Sequence, residues 1–375
     1  MHALVFDSID QIGWEAIEPL AGSPVDFSYG LLRAVERSLW GDLSVRYLAV
    51  EEDKAIVAFT PIYIGTNLNF NALLPRFIQR SYVSMVDSLG AARGYSVAVV
   101  GCLMSDKGCI PMHPDCNPRA IVALMLPEIE RIARAGGADF CILKDIHQDF
   151  PETRQFLSAG FVQAHSLPAV SVSTPFSSFE DYLQSRSKNG RKHARKNYYK
   201  AQDKLRLPAC TDFAELVPVI YPFFRQTFLK AQYKFEELSP AFYKECAAST
   251  HPRSEVVVCE KNGIPVGAIM ILYNSQELQI KRVGIDYKQE DSGLVYNMMM
   301  YEGMKRAIDR GIPHVSLGQS TYVPKIRLGG RLQNTFIFLK GYSVSLRASF
   351  PAQKLWLRQY STERISRTVG ESAVE

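Results

Sequence analysis

Apolar residues change period along this chain, and each change marks an element. Leu31, Leu32, Val35 and Leu39 recur at helix-like spacings near the N-terminus. From Val45 the pattern turns strand-like: VRYLAV, the charged EEDK and AIVAFTPIYIG read as two strands around a turn, a hairpin. Between residues 66 and 114 the pattern breaks into short apolar pieces, of which residues 95–103 read as a strand. Asn117 followed by Pro118 predicts an N-cap and first helical residue, opening a helix that Gly136 and Gly137 end. Pro127 falls inside it and predicts a kink or two shorter helices. A buried-type strand at 140–143 and a short helix before Gly160 follow.

The second half repeats this order. EVVVCE, a Lys-Asn-Gly turn and IPVGAIMILY predict a second hairpin, with a third strand over 277–285. A helix over 293–310 then carries Leu294, Met298, Tyr301, Met304 and Ile308 as one stripe, and a strand at 314–317 follows Gly311. RIARAGGADFCILK and GMKRAIDRGIPHVSLG thus repeat one pattern: amphipathic helix, glycine stop, buried strand. Two similar α/β halves are expected, as lobes at 1–175 and 206–345 joined by basic helices at 176–205, with a C-terminal helix and disordered tail at 346–375.

Composition narrows the picture. A chain of 375 residues, 47% hydrophobic, can fill two cores, and a net charge of +5 is too mild for a protein that coats nucleic acid. No run is long and apolar enough for a bilayer span, and the acidic residues in MHALVFDSID do not suit a signal peptide, so a cytoplasmic location is expected. Seven scattered cysteines fit reduced thiols. Cys102, Cys109, His113 and Cys116 are zinc-competent types, but their spacing is no standard zinc pattern and no metal site is expected. Cys102 with His113 as a nucleophile pair lacks a third group.

The charge is local. SRSKNGRKHARKNYYKAQ, residues 185–202, holds Arg186, Lys188, Arg191, Lys192, Arg195, Lys196 and Lys200 with no acid, behind a capping-box helix opened by Ser178 and Asp181. It reads as a solvated helix, as an anion site between the lobes centred on Arg191 and Arg195, or as a nucleic-acid contact on which Tyr198 or Tyr199 stacks. Downstream, the turn DYKQEDSG leads a strand into a helix at Gly293, where a phosphate could meet free N–H groups. After the next strand comes LGQSTYVPKIRLGG, a loop dense in hydrogen-bonding side chains.

The SFEDYL helix, the Arg191–Lys196 basic run and the L-G-Q-x-x-Y-x-x-K-x-R-L-G loop together resemble the FemAB-like, BioF-type acyltransferases of the GNAT superfamily. The resemblance implies an α/β (α+β) fold of tandem GNAT-like lobes, each a mixed, mostly antiparallel sheet flanked by helices. It implies transfer of an activated acyl group to a small-molecule amine, with acyl-CoA as co-substrate and no tightly bound cofactor. Aminoacyl-tRNA is the donor in the cell-wall branch, so tRNA is the alternative partner, and a non-catalytic RNA- or precursor-binding protein is the competing class. Such transfer needs a polarised carbonyl, a deprotonated amine and a stabilised leaving group. Lys325 is the candidate cation near the donor carbonyl or phosphate, and Tyr322 either donates to the leaving group or packs. Arg327 suits a phosphate or carboxylate, Gln319 and Ser320 orient substrate, Gly293 meets donor phosphates, and Asp286 or Glu260 is the candidate base.

Overall fold

The computed structural model describes residues 1–22, 24–65, 95–231, 237–343, 347, 354–355 and 357–373. Both expected hairpins form. β1 (His2–Phe6) pairs with β2 (Ser44–Glu52), which pairs with β3 (Ala55–Gly65) around Asp53 and Lys54, at φ 48° and 66°. In the second half β10 (Ser254–Lys261) and β11 (Ile264–Tyr273) turn through Asn262 and Gly263, at φ 54° and 76°. Two adjacent positive φ values give the turn whose twist matches a hairpin, which accounts for the Asn-Gly pair.

Each hairpin continues into the same unit. In the first half β4 (Val97–Val100) pairs antiparallel with β3 and parallel with β5 (Phe140–His147), across the helix Pro118–Ala135. In the second, β12 (Glu277–Ile285) pairs antiparallel with β11 and parallel with β13 (His314–Gly318), across the helix Ser292–Asp309. Asn117 caps its helix as expected, its Oδ1 accepting from Arg119 N at 3.0 Å. The helix runs unbroken through Pro127 rather than as two shorter helices. A buried face of Ile121, Val122, Met125, Ile129 and Ile132 lies on both sides of the proline and holds the two halves in register against the sheet.

The sheets do not follow the division at 1–175 and 206–345, because two strands are exchanged. β6 (Val162–His165) stays in the first sheet, but β7 (Ala169–Ser173) crosses and pairs with β13 and with β14 (Arg331–Gln333). β15 (Thr335–Gly341) returns and inserts between β5 and β6. The first sheet therefore runs β1-β2-β3-β4-β5-β15-β6. The second runs β14-β7-β13-β12-β11-β10, with the short β8 (Leu205–Arg206) and β9 (Ala209–Cys210) against β10.

Between the sheets lies one continuous core that includes Phe27, Leu31, Tyr47, Phe59, Phe213, Phe242 and Met270. The helices Tyr29–Arg37, Val217–Lys230 and Pro240–Thr250 contribute to it, while the helices Pro118–Ala135 and Ser292–Asp309 cover the outer faces. β12 faces the first lobe with alternate polar residues, all buried. Lys281 Nζ meets Asp26 Oδ1 at 2.6 Å, Gln279 Nε2 donates to Asp26 Oδ2 at 3.0 Å, and Glu277 Oε2 accepts from Val25 N at 3.0 Å.

The polar tail expected to be disordered continues as a helix over Thr362–Ala373, with Val369 buried. It packs against β14 and the helix Tyr322–Arg327, and its start is tied by Thr362 N donating to Asn334 Oδ1 at 3.1 Å. Of the segment 66–114, residues 66–94 lie outside the described residues; the expected strand at 95–103 is confined to β4. Among the described residues no helix is long and apolar enough to cross a membrane.

Candidate active site

The chain leaves β13 at Gly318 (φ 72°), and Ser320 and Thr321 follow at φ 60° and 49° before the helix Tyr322–Arg327. Left-handed non-glycine residues cost on the order of 1–3 kcal/mol each and persist where surroundings over-determine them. Here they are held by side chains. Gln319 Nε2 donates to Leu167 O at 2.7 Å and to Asp106 O at 3.3 Å, and Tyr322 Oη donates to Pro168 O at 3.2 Å. The loop is thereby fastened to the point where the chain crosses between sheets.

Lys325 turns inward. It is buried, and its Nζ donates to Gln319 O at 2.7 Å. Burial pushes its ammonium down to about 8, against the opposing pull of Asp106. A Cβ on Gly318 would sit 3.1 Å from Asp106 Oδ2 and 3.9 Å from Lys325 Nζ, so the two charged groups converge on a bare Cα. A larger residue there would be strained by the positive φ and would press on the Asp106 carboxylate.

Asp106 comes from the loop after β4, and the end of β5 supports that loop. Asp145, buried and at φ 51°, accepts from Lys144 Nζ at 2.5 Å and from the Ser166 hydroxyl. Its backbone oxygen accepts from Gly108 N at 2.7 Å. Lys144 also donates to Ser105 O. The junction thus gathers the carboxyl ends of β4, β5 and β13, where open α/β sheets place their ligands.

The remaining expected residues lie elsewhere or are engaged. Asp286 accepts from Lys288 N at 3.1 Å and Gln289 Nε2 at 3.0 Å, and the amide of Gln289 first among them holds its carboxyl below the usual range, the wrong direction for a base at neutral pH. β12 pairs with β13 only over Glu277–Gln279, and Asp286 stands seven residues beyond, on the order of 20 Å along the strand. Gly293 is exposed at the start of its helix, next to Asp291, whose Oδ2 accepts from Lys261 Nζ at 2.9 Å. Arg191 folds back onto the backbone, its Nη1 donating to Arg186 O at 2.6 Å, while Arg195 and Arg327 are exposed.

Tyr198 is not free to stack on a base: it is buried between Phe179 and Tyr301 and its hydroxyl donates to Glu302 Oε2 at 2.9 Å. Cys102 lies in the core between the sheets and Cys109 at its border with the outer core of the first lobe, burial pushing each thiol up to about 12, and His113 is a surface residue beside Asp115. No three metal-binding side chains come together among the described residues. Sequence reasoning missed Asp106, Asp145 and His193, and named Arg186 only as one member of the basic run. The first had one legible signal, a Ser-Asp-Lys-Gly run directly after a buried strand.

Two mixed sheets, each built on an antiparallel hairpin continued by a parallel strand pair across a helix, face each other across one core. Residues 109–323, more than half of the chain, match the FemAB-like family of peptidoglycan biosynthesis/recognition, and the chain belongs to that family. In fold it is similar to FemX, with a TM-score of 0.62 at 10% identity, over 92% of this chain and 98% of that one. It is also similar to the C-terminal domain of a putative lysylphosphatidylglycerol synthetase from Agrobacterium fabrum, with a TM-score of 0.56 at 12% identity over 92% and 96%. A Mycobacterium tuberculosis protein described as putative 8-amino-7-oxononanoate synthase 2 is 22% identical over 250 residues, which are 64% of this chain and 32% of that protein. The match spans about a third of that relative's length.

Proposed function

We propose that the protein is an N-acyltransferase that moves an acyl group from an acyl-CoA-type thioester to an amine, with the reacting carbonyl between Lys325 and Asp106. The observation that carries this reading is the buried ammonium facing a carboxylate across Gly318. The acceptor nitrogen attacks the carbonyl carbon and a C–N bond forms. Lys325, with N–H groups left beyond the one given to Gln319 O, meets the oxyanion, where a preorganised donor in a dry site is worth most. Asp106 accepts the proton lost by the amine, the C–S bond breaks, and the thiolate leaves with the electron pair. Tyr322 and Gln319 act as positioning residues that hold the loop, and Ser320 orients substrate from its strained backbone. The family description supports an amine borne by a cell-wall precursor as acceptor.

A second donor, aminoacyl-tRNA, is favoured by Lys188, Arg191, Lys192, Arg195, Lys196 and Lys200. All are exposed, and none has an acidic partner among the described residues. With that donor the bond broken is an ester C–O, and Lys325 keeps its role. In this reading Gly293 is a weaker phosphate contact, because Asp291 already places a carboxylate at that helix end. The test offers acyl-CoA and aminoacyl-tRNA separately with candidate amines. Thiol release that disappears in Lys325→Ala is the expected result; transfer from aminoacyl-tRNA alone replaces the donor, and full activity of Lys325→Ala removes the mechanism.

A further inference from the structure

Arg186 is the odd member of the basic segment. Its neighbours in sequence point to solvent, whereas its guanidinium lies flat on Gly329, where a Cβ would sit 2.3 Å from Nη1 and 2.8 Å from Cζ. Gly329 has φ 93°, so both the backbone and the space there call for glycine. Nε of Arg186 is buried without a partner, and none of its guanidinium donors finds an acceptor among the described residues. Arg186 as a whole is half-buried, and a guanidinium whose Nε is shut off from water without an acceptor calls for an anion.

The surroundings supply more donors, and the nearby carboxylates among the described residues are already hydrogen-bonded. Arg327, two residues before Gly329, is exposed and unpaired among the described residues, and its charge reaches His193. His193 Nδ1 lies 3.0 Å from the Tyr301 hydroxyl. Burial pushes that phenol up to about 12, so it keeps its proton and can donate to Nδ1, which would leave the Nε2–H of a half-buried imidazole for a ligand. Nearby carboxylates are engaged: Glu302 by Tyr198 and Arg306, Glu180 by Tyr199, and Asp181 by Ser177.

We propose that Arg186, Arg327 and His193 form a binding site for a phosphate monoester or diphosphate group of a small molecule, on the face of the helix Tyr322–Arg327 turned away from Lys325. Two residues along a helix correspond to about 200° of rotation, so Arg327 and Lys325 serve opposite faces. A planar fork held against a backbone, with a second arginine beside it, fits one discrete phosphate group. A polynucleotide instead follows a row of spaced charges, as along Lys188 to Lys200. The site does not rest on the transfer reaction, because it is read by anion binding alone.

Calorimetry and phosphorus NMR on the full chain test it with pyrophosphate, inorganic phosphate and succinate. Expected are saturable one-to-one binding of pyrophosphate, succinate binding at least tenfold weaker, and a loss of tenfold or more in Arg186→Gln and in Arg327→Gln. Lys188→Gln and Lys200→Gln leave it unchanged. Arg327 is exposed, so its variant remains decisive even where Arg186→Gln fails to fold. Absence of saturable binding, or equal affinity in Arg327→Gln, overturns the site. Binding of a ten-nucleotide RNA that depends on Lys188 and Lys200, with none of pyrophosphate, assigns the face to a polynucleotide.

Discussion

Lys325 is held in the fold against its own charge, and the sign of that strain is testable. Its folded-state value of about 8 lies below the ordinary 10.5. Below pH 8 both folded and unfolded states carry the proton and the burial penalty is fully present; between 8 and 10.5 only the unfolded state stays charged, so stability rises with pH. Lys325→Met should therefore stabilise the protein by up to ~3 kcal/mol at pH 7, with the gain fading by pH 10, as read by urea unfolding. Activity should behave oppositely, falling as pH rises through about 8 because the oxyanion needs the ammonium. A rate that climbs through that range would make Lys325 a base and overturn its assigned role. Lys281 presents the contrasting case, a buried cation with a full partner in Asp26. Lys281→Met leaves that carboxylate, among the described residues, with Gln279 alone and should cost roughly 3–5 kcal/mol, largely recovered by adding Asp26→Val. At this scale the sequence marked Lys325 and Gln319 through their shared loop. The Ser-Asp-Lys-Gly run around Asp106 was visible, but its meeting with Lys325 was not, because that depends on two loops from different sheets.

Elements whose chemistry is local were legible: the Asn-Gly turn, the Asn117 cap and the Ser178 capping box form as their residues dictate. β12 was legible as a strand but not for its setting. The alternation of Glu277, Gln279 and Lys281 with Leu278 and Ile280 reads as one wet face, yet the polar face is buried against Val25 and Asp26. An alternating pattern reports two unlike faces, and a second lobe can cover the polar one as well as water does. Helix crossing is similarly invisible in one helix alone. Gly30 lies where the helix Tyr29–Arg37 meets Pro240–Thr250, and a Cβ there would come 2.3 Å from the Ser249 backbone oxygen. Gly30→Ala raises helix propensity by about 1 kcal/mol. Displacing backbone outweighs that gain, so the variant should be destabilised by roughly 1–3 kcal/mol in denaturant melts; a rise in stability would show that the helices shift apart without loss.

For the whole molecule, the repeated order of hairpin, helix and strand revealed two lobes but concealed how they are joined. Strand exchange leaves no local trace, since β7 and β15 read like any short apolar strand. Its physical consequence is cooperative. β15 is needed between β5 and β6 in the first sheet although it follows the helix that carries Lys325, and β7 is needed beside β13 although it precedes the basic segment. Neither sheet is complete from one continuous stretch, and the core between them is shared. The lobes should therefore unfold together. Phe338 on β15 is fully buried against Phe156 in the outer core of the first lobe, with ring centroids 5.0 Å apart. Phe338→Ala should cost about 3–5 kcal/mol. In hydrogen-exchange mass spectrometry the loss should reach the amides of β10 to β12 as much as those of β2 and β3, because one opening event exposes both sheets. Protection lost in the first sheet alone, with β10 to β12 unchanged, would mean that the lobes are separate folding units and that the shared core does not couple them.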